Sequence, residues 1–469
     1  MNKDLGLFIK QLEEEKPRSV IRVKKVVKPE FEIPAILQEI EKRKANPVII
    51  FEKVKNLNGG VSELPVMINL FGDRARLAMA MNVPVDKMSH EYVAKEKFPV
   101  KPVEIDKSKA SVKEVILKGK EADLYDLPIV THHEMDLGPY ITAGFAWAKD
   151  PETGWINCAI IRMYVSGPQT LAVNFNANRH TNFIFQKYKK MEKPMPMVIV
   201  IGHHPAFYMG AQTKIHTDEM DIIGAIMDEP LEITPSETWG NEMMVPAQAE
   251  LLIETEISTS EIAIEAPFGE YTGYYGGQRT NPIAEVKAIT RKKDAVYLDI
   301  MPGHADHLLL DAPMIEANLY SKIKEAVLGT QNVHMPVSGT ARLHAYVQIR
   351  KTNDGEPKAA IMAALSAEYR LKHVVIVDDD VDIFDDQEVL WAIATRSQWD
   401  KDLLVVPGVM GSRLDPSAED VVTTKGGIDA TKPSEKHSFA ERIAIPKSVI
   451  ENIDLKDYLE SKDMESLKK

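Results

Sequence analysis

In the N-terminal part of the chain, hydrophobic spacing switches between the helical and the strand period. Apolar residues three and four apart predict helices over residues 5–15, 33–44 and 73–81. Short apolar or alternating runs predict strands over residues 20–27, 48–51 and 65–70. Helices and strands that alternate in this way are typical of an α/β domain, which we place at residues 1–107.

The pattern changes near residue 108, where strand-like runs follow one another with few helical stretches. These runs cover residues 115–117, 141–148, 155–165, 170–175, 197–201, 249–257, 283–289 and 295–300. Helical spacing returns at residues 181–190 and 221–227. So many strands in succession predict a mostly antiparallel β domain, a barrel, over residues 108–312.

The C-terminal part returns to mixed spacing. Residues 315–327 have the helical period and predict a linker helix at residues 313–330. A second α/β domain at 331–469 is predicted from strands at 333–337, 341–348, 374–377 and 402–406 and helices at 359–369 and 387–395. After residue 417 the pattern predicts loop and a final helix from about Leu455. The predicted fold class is therefore mixed α+β, with an α/β domain on each side of a β barrel.

Composition and charge narrow the functional classes. The 469 residues carry 57 Lys and Arg against 70 Asp and Glu, a net charge of −13, which disfavours a general binder of nucleic acid or anionic membranes. The one cysteine, Cys158, excludes an internal disulfide and a Cys-ligated metal cluster within one chain. The N-terminus lacks a secretory pattern, and no apolar run approaches the ~18 residues of a membrane span. We therefore expect a cytoplasmic protein that binds neither nucleic acid nor a membrane.

The stretch Glu265-Ala-Pro-Phe-Gly-Glu270 holds two carboxylates five positions apart. In a straight strand they would point to opposite faces, but Pro and Gly favour a bend that brings both to one site. Two carboxyls in one cavity push their pKa values apart, so that one can serve as a proton donor near neutral pH. The alternative is a turn whose carboxylates are solvated.

Three further side chains form a candidate metal-ligand set, and an arginine is a candidate partner for an acid. Asn157, His180 and Glu219 offer the hard oxygen and nitrogen atoms that suit Mg²⁺ or Mn²⁺ held jointly with a phosphate. Arg162, inside a strand-like run, needs an anionic partner if it is buried, and Glu265 is a candidate. Taken singly, each has a structural alternative: a lone His is often a core or surface residue, and Asn157 can cap a turn.

Several motifs follow one another along the chain. They are Asn157-x₄-Arg162, Arg179-His180, Glu219, the stretch from Glu265 to Glu270, and Lys425-Gly-Gly-Ile-Asp-Ala-Thr. Others are Gly138-Pro-Tyr-Ile-Thr142, Val377-Asp-Asp-Asp-Val-Asp-Ile383 and Trp391-Ala-Ile-Ala-Thr-Arg396. Their order resembles the UbiD family of (de)carboxylases from about residue 138 onward. Ala266 departs from the family, in which Gly often follows the first catalytic Glu.

The resemblance implies a prenylated flavin mononucleotide (prFMN), supplied by a separate flavin prenyltransferase and bound in a split β-barrel. Carried over by position, Asn157, His180 and Glu219 would bind Mn²⁺ or Mg²⁺ bridging the cofactor phosphate. Lys425 would add a cation to that phosphate, and Arg179 would lie along the cofactor. A further group of residues would approach the flavin, with K⁺ or Na⁺ nearby: Cys158, Ala159, Ile160, Ile161 and Arg162.

The same resemblance implies reversible, non-oxidative decarboxylation of an aromatic or heteroaromatic acid, or of an α,β-unsaturated acid, by Arg162, Glu265 and Glu270. Loss of CO₂ leaves a carbanion that no ordinary side chain stabilises, so a cofactor must act as the electron sink. We assign Glu270 as the proton donor. Arg162 would position the substrate carboxylate and pair with Glu265.

Substrate and assembly are less constrained by the sequence. His304 and His307 lie where family members place substrate-facing residues, although a polar turn before a helix explains them equally well. Some relatives that take dicarboxylates have an Arg shortly after this segment. Residues 312–315 contain none, which favours a monocarboxylate. Family resemblance further implies a homodimer or homohexamer assembled through the C-terminal domain.

Two other functional classes remain. A glycosidase using Glu265 and Glu270 would leave Asn157, His180 and Lys425 without a function, and aromatic residues make up only 7% of the chain. A non-catalytic flavin-binding subunit of a larger carboxylase would not need the complete set of Glu265, Arg162 and Glu270. A bound flavin would exclude the glycosidase, and CO₂ release from an aromatic acid would exclude the inert subunit.

Overall fold

A computed structural model describes residues 3–175, 179–213, 218–265, 267–434 and 439–460. The N-terminal part alternates helices and strands as predicted. Its elements are α1 (Leu5–Glu15), β1 (Val20–Val23), α2 (Glu32–Glu41), β2 (Val48–Phe51), β3 (Val66–Ile68), α3 (Arg74–Met81) and α4 (Met88–Glu96). The sequence missed α4, because only Met88 and Tyr92 mark its buried apolar face.

The central part is mostly strand. Its elements are β4 (Val103–Glu104), β5 (Val115–Lys118), β6 (Tyr140–Ile141), β7 (Phe145–Lys149), β8 (Ile156–Ile160), β9 (Met163–Gly167), β10 (Thr170–Val173), α5 (His180–Lys190), β11 (Met195–Ile201), α6 (Pro205–Gly210), α7 (Glu219–Met227), β12 (Glu232–Ser236), β13 (Gly240–Pro246), β14 (Leu251–Glu265), β15 (Phe268–Gly269), β16 (Tyr275–Gly276), β17 (Arg279–Arg291) and β18 (Tyr297–Leu298). Nine of these strands form one sheet, in which eight follow the order β6-β9-β10-β17-β14-β11-β7-β8 and β5 pairs with β17. Their pairings are antiparallel, as the sequence predicts.

The connection between β8 and β9 forces this sheet to curl. β8 ends the strand path on one side, whereas β9 lies next to last on the other. Only Ile161 and Arg162 separate the two strands in sequence. Two residues span only about 7 Å of extended chain, so the opposite sides of the sheet must meet at Arg162. The result is a half-barrel whose open side is bridged by this short connection.

One predicted strand belongs to a different sheet. We predicted residues 295–300 as part of the barrel, but β18 pairs with β3 and completes the order β1-β2-β3-β18. The N-terminal sheet therefore takes its last strand from the far end of the central part. Local hydrophobic spacing predicts a strand but does not identify its partner.

The linker helix also begins earlier than predicted. α8 (Ala305–Ala326) starts eight residues before the predicted first residue, 313, and contains Pro313 in its interior. Proline removes one helical hydrogen bond, yet this helix continues through Pro313. The buried Asp306 fixes the helix start, since its carboxylate accepts hydrogen bonds from the main-chain N–H groups of Asn69, Phe71 and Met301 at 2.9, 2.8 and 3.4 Å.

The C-terminal part is an α/β domain. Its elements are β19 (Thr330–His334), β20 (His344–Ile349), α9 (Glu356–Ala367), β21 (His373–Asp378), α10 (Asp386–Arg396), β22 (Leu403–Met410), β23 (Val422–Ala430) and α11 (Lys447–Ile450). The sheet has the order β19-β20-β21-β23-β22. The sequence analysis was wrong about β23, which it treated as loop because Gly426 and Gly427 are poor strand formers. Gly427 is required here, since a Cβ atom would lie 2.4 Å from Ile361 Cγ2.

The chain beyond β23 contacts the C-terminal domain through polar groups, such as the ion pair of Arg442 with Glu388. Apolar side chains of this segment are exposed, and Ile443 is 97% accessible. The predicted final helix is a short 3₁₀ turn at Leu455–Asp457, and its predicted continuation past residue 460 lies outside the described residues. Within the described part of the chain, no helix is both long and apolar enough to cross a bilayer.

Asp306→Ala tests how the linker helix is attached to the N-terminal sheet. We expect a loss of at least about 3 kcal/mol of stability, because the main-chain N–H groups of Asn69 and Phe71 would be buried without an acceptor. The midpoint of urea unfolding measures this. Asp379→Ala is the control, since it removes a solvent-exposed ion pair with Arg350 and should cost less than about 1 kcal/mol. Equal midpoints for the two variants would contradict this role of Asp306.

Candidate active site

Arg162 lies between the two predicted carboxylates. Its Nε atom donates to Glu265 Oε1 at 2.6 Å, and its Nη1 atom donates to Glu270 Oε1 at 2.5 Å. Both carboxylates are buried, with 1% and 7% of their surface accessible. Burial alone would lower the pKa of the guanidinium, but Glu270 and Glu265 outweigh it and raise that pKa above its ordinary value. Arg162 is therefore a permanent cation shared by two acids.

A bend between the two acids places them on the same guanidinium. Glu265 is the last residue of β14, and Phe268–Gly269 then turns away to pair with Tyr275–Gly276. Behind it, the N–H of Glu270 donates to the carbonyl of Tyr274 at 2.9 Å, which closes a hairpin. Ala266 lies outside the described residues. Glu270 thus follows the first strand of the hairpin at residues 268–276, and its side chain reaches Arg162 from there.

Two asparagines that the sequence analysis missed complete the surroundings of Glu265. Asn174 Nδ2 donates to Glu265 Oε2 at 2.8 Å, and Asn281 Nδ2 donates to the same oxygen at 2.6 Å. Among the described residues, the side chain of Glu270 receives a recorded hydrogen bond from Arg162 alone. Glu265 is consequently fixed by several donors, whereas Glu270 keeps one carboxylate oxygen for another partner.

Aromatic rings pack beneath the guanidinium. Arg162 Cζ lies 4.9 Å from the ring centre of Phe268, whose ring is 4.5 Å from that of Tyr140. The hydroxyl of Tyr140 is buried without a hydrogen-bond partner among the described residues. Burial raises the pKa of this hydroxyl, and the charge of Glu265 raises it further. The ring stack shields the ion pairs from water and strengthens them.

Asp136 attaches the hairpin to the half-barrel. Its Oδ1 atom accepts a hydrogen bond from the N–H of Gly269 at 3.0 Å, and its Oδ2 atom accepts one from the N–H of His133 at 2.9 Å. The hairpin passes so close to this loop that a Cβ atom on Gly269 would lie 2.4 Å from His133 Nδ1. Only glycine fits at this position without displacing the histidine.

The three predicted metal ligands meet at another end of the half-barrel. Asn157 in β8 donates to Thr181 Oγ1 at 2.8 Å, next to His180 at the start of α5. The ring of His180 contacts that of Trp155 at 5.1 Å between centres. Glu219, at the start of α7, interacts through hydrogen bonds with Trp155 and with the main chain of Cys158. Trp155 and Cys158 thus link all three ligands into one corner.

The carboxyl of Glu219 fits a cation. Its Oε2 atom is buried and lacks a hydrogen-bond partner among the described residues. Burial raises the pKa of Glu219 to about 9, so that a nearby positive charge is needed to keep it ionised at neutral pH. No group of three or more His, Cys, Asp or Glu side chains arranged for a metal occurs in the described ranges. The predicted set would not meet that description, because it contains one His, one Glu and the amide of Asn157.

The remaining predicted flavin residues lie between these two clusters. Cys158 is buried, and burial raises the pKa of its thiol well above the ordinary value. Ala159, Ile160 and Ile161 are partly exposed and connect Cys158 to Arg162 along the chain. Arg179 is exposed at the N-terminal end of α5. Their arrangement leaves main-chain and apolar surface between the corner that holds Asn157, His180 and Glu219 and the two buried acids.

The structure places Lys425 in the C-terminal sheet. Its ammonium is buried and donates to the main-chain carbonyls of Tyr369 at 2.8 Å and Glu368 at 3.5 Å. Burial lowers the pKa of Lys425, and Glu368 partly opposes this. These bonds lie within the C-terminal domain, so a contact with the cofactor phosphate stays a prediction.

His304 and His307 lie at the start of α8, beside the hairpin. His304 Nδ1 lies within hydrogen-bond distance of a carboxylate oxygen of Glu41 in α2. His307 Nδ1 accepts a hydrogen bond from the N–H of Gly303 at 3.2 Å, and burial lowers the pKa of its ring well below the ordinary value. His304, but not His307, lines a cavity of about 420 Å³, together with Tyr271, Gly303, Leu308, Val337 and Thr340. Its lining residue Tyr271 directly follows Glu270 in the chain.

Comparisons with known proteins agree with this architecture. The chain matches the 3-octaprenyl-4-hydroxybenzoate carboxy-lyase N-terminal domain over residues 9–96. It matches the Rift-related domain of the same enzyme over residues 103–305 and the C-terminal domain over residues 309–430. The chain belongs to the UbiD family.

Four comparisons, with three different enzymes, show how similar this UbiD chain is to its relatives. Anhydromevalonate phosphate decarboxylase of Methanothermobacter thermautotrophicus is 36% identical over 88% of this chain and 94% of its own. The UbiD-class enzyme HmfF of Pelotomaculum thermopropionicum, in complex with FMN, is 39% identical with a TM-score of 0.91, over 97% and 100% of the two chains.

An evolved dimeric form of HmfF, in complex with prFMN, gives 37% identity and a TM-score of 0.88 over 98% and 100% of the two chains. The 3,4-dihydroxybenzoic acid decarboxylase of Klebsiella pneumoniae is 26% identical with a TM-score of 0.88, over 97% and 99%.

The comparisons confirm the UbiD resemblance, the mixed fold with its curled half-barrel, and the enzyme class. The protein is a carboxy-lyase of a family whose solved structures include complexes with FMN and with prFMN. The roles assigned to Arg162, Glu265 and Glu270 stay predictions, as do the metal ligands and the domain boundaries at residues 107, 312 and 330.

Gly269→Ala tests the close contact of the UbiD hairpin with His133. We expect a loss of about 1–3 kcal/mol of stability, because the added methyl group overlaps the imidazole and displaces the hairpin from Asp136. The thermal unfolding midpoint and the decarboxylation rate should both fall. Gly277→Ala is the matched control, since a Cβ atom there meets no atom within 4 Å. If the two variants behave alike, the contact does not constrain the hairpin.

Proposed function

We propose that the protein catalyses the reversible, non-oxidative decarboxylation of an aromatic, heteroaromatic or α,β-unsaturated acid with prFMN as cofactor. The observation that carries this proposal is the single guanidinium of Arg162 shared by the buried acids Glu265 and Glu270. It occurs in a UbiD carboxy-lyase whose structural relatives bind FMN and prFMN. The reaction converts R–COO⁻ and a proton to R–H and CO₂.

Arg162 can orient the substrate carboxylate. A guanidinium has five N–H donors, and recorded bonds to the two acids use three of them. The unused donors can face a third carboxylate, which holds the bond to CO₂ in a fixed direction. Glu265 contributes by fixing the guanidinium, since Asn174 and Asn281 keep its own carboxylate in place.

Glu270 supplies the proton. When bound, prFMN would supply the electron sink for the electron pair that stays on the substrate carbon when CO₂ departs. The carbon that loses CO₂ must then receive a proton, and Glu270 has a carboxylate oxygen that the recorded hydrogen bonds leave uncommitted. Its burial in a site lined by Phe268 and Tyr271 limits exchange with water during this step. In the carboxylation direction Glu270 takes the same proton back.

A divalent cation, Mn²⁺ or Mg²⁺, would be held by Asn157, His180 and Glu219. The Oε2 atom of Glu219, which is buried without a hydrogen-bond partner among the described residues, and the hard donor set support this assignment. Arg179 at the start of α5 and Lys425 in β23 would approach the cofactor phosphate. The segment from Cys158 to Ile161 would lie along the flavin, with K⁺ or Na⁺ close to its main chain. A flavin prenyltransferase would supply the cofactor.

The substrate is a monocarboxylic acid in this proposal. Relatives act on substrates as different as anhydromevalonate phosphate and 3,4-dihydroxybenzoic acid. The cavity of about 420 Å³ beside Glu270 has room for either, and His304 would face the substrate there. His307 stands one helical turn further along α8 and is the second candidate. A screen of the reconstituted enzyme against both kinds of acid, and against furan, pyrrole and cinnamic-type acids, tests the assignment.

Assembly through the C-terminal domain is supported by its uncovered apolar surface. β22 is an edge strand, and its residues Val405 and Met410 are exposed, at 59% and 60% of their surface. An exposed apolar edge strand is a liability unless another chain covers it. A homodimer or homohexamer would cover it, together with apolar side chains of the segment that follows β23.

Glu270→Gln should abolish turnover while the flavin stays bound. Removing a general acid costs about 10²–10⁴-fold in rate, whereas the amide keeps the shape of the site. CO₂ release and the flavin absorption spectrum measure the two effects separately. Glu261→Gln, which changes an exposed glutamate of β14, is the control. Near-normal turnover by Glu270→Gln would show that another group donates the proton.

Glu219→Gln should lower the affinity for the divalent metal by about tenfold or more and reduce flavin retention. The amide still fits the corner but no longer offers a negative charge to the cation. Elemental analysis and flavin absorbance of the purified protein measure the two losses. The exposed Glu242→Gln serves for comparison. Full metal and flavin content in Glu219→Gln would rule out this ligand.

A further inference from the structure

The residue after Glu270 is held by the C-terminal domain. Tyr271 is buried, with 5% of its surface accessible, and its hydroxyl donates to Ser412 Oγ at 2.8 Å. Ser412 lies in the loop between β22 and β23 and is itself buried. A hydroxyl pair therefore joins the catalytic hairpin to a domain that contributes neither Arg162 nor either acid.

A second contact fixes the ring of the same tyrosine. Arg342 Cζ lies 5.1 Å from the ring centre of Tyr271, and the guanidinium forms an ion pair of 2.5 Å with Asp311 of α8. Arg342 is buried and precedes β20, so it too belongs to the C-terminal domain. A buried cation over an aromatic face is attracted to it more strongly than in water. The hydroxyl and the face of Tyr271 are thus both bound by residues of the C-terminal domain.

The contacts on either side of Glu270 come from different parts of the chain. Asp136 holds the preceding residue, Gly269, to the half-barrel. On the other side, Gly303 adopts the left-handed conformation, and a Cβ atom there would lie 3.1 Å from the Glu270 carbonyl. Glu270 consequently lies between one anchor in the central part and one in the C-terminal domain. Moving Tyr271 with its domain turns the peptide that carries Glu270.

We propose that Tyr271 is a positioning residue that couples the C-terminal domain to the proton donor Glu270. The inference rests on the proposed function, since it takes Glu270 as the donor. Ser412 and Arg342 hold Tyr271, and Tyr271 sets the direction of the Glu270 carboxyl relative to Arg162.

The cavity can link substrate binding to the position of Glu270. Tyr271 forms one wall, and Val337 and Thr340 of the C-terminal domain form another. A substrate that fills the space between them contacts both the ring and the domain that holds it. Displacement of the domain would open the cavity and release the donor together, so that protonation is confined to the closed, substrate-filled site.

Tyr271→Phe and Ser412→Ala test the coupling, because each removes the same hydrogen bond from opposite ends. A typical buried hydrogen bond corresponds to about a twofold to tenfold effect, and we expect kcat to fall by this factor in both variants with little change in KM. The double variant should be no slower than either single variant, since the two changes act on one bond. Ser412→Thr keeps the hydroxyl and should restore the rate.

Two readouts separate positioning from a merely structural effect. The solvent deuterium isotope effect on kcat should rise in Tyr271→Phe and Ser412→Ala, because proton donation becomes slower. Amide hydrogen exchange of the holoenzyme should increase at residues 268–276 in both variants. Tyr92→Phe is the matched control, since it also removes a buried tyrosine hydroxyl bond, to the carbonyl of Met209, far along the chain from the hairpin. It should leave the isotope effect unchanged.

Wild-type kcat, isotope effect and exchange in Tyr271→Phe and Ser412→Ala would overturn the coupling. So would a double variant whose losses simply multiply. Glu270→Gln, assayed alongside, keeps the two proposals apart. If Glu270→Gln is inactive while the tyrosine and serine variants are normal, the donor stands and the coupling fails. If Glu270→Gln remains active, the proposed function itself fails.

Discussion

The structure depends on a buried guanidinium that two carboxylates share. Arg162 lies where the curled sheet meets itself, so the ion pairs hold together strand ends that are far apart in the sheet order. Removing either acid would leave a buried charge less compensated, which is among the costliest changes a protein core can undergo. The same requirement fixes the β15–β16 hairpin, because Glu270 reaches Arg162 only if the chain bends after Glu265.

Local signals in the sequence were enough for part of this arrangement. Pro267 and Gly269 predicted the bend, and the need of Arg162 for an anion predicted its pairing with Glu265. Asn174 and Asn281 gave no such signal, because a single asparagine in a strand has no spacing that marks it as a partner of a distant acid. Likewise the sequence around Tyr271 does not mark it as a polar contact. Its hydrogen bond to Ser412 depends on how the central part packs against the C-terminal domain.

The fold shows the same division between local and distant information. Helix α1, which has a clear apolar face, was predicted with its correct bounds, because periodicity is a property of neighbouring residues. β23 was missed since glycine weakens the strand pattern, and the partner of β18 could not be predicted from the residues around it. Sequence spacing therefore predicts elements, whereas burial against remote parts of the chain decides how they join.

The position of β18 has a consequence for synthesis on the ribosome. β3 is completely buried between β2 and β18, yet β18 is translated more than two hundred residues later. Until Tyr297–Leu298 has left the ribosome, the apolar strand β3 remains an open edge. The N-terminal domain is therefore translated first, but its sheet is complete only after β18 has been translated. While the half-barrel is translated, the nascent chain must keep the β3 edge from pairing with a wrong strand.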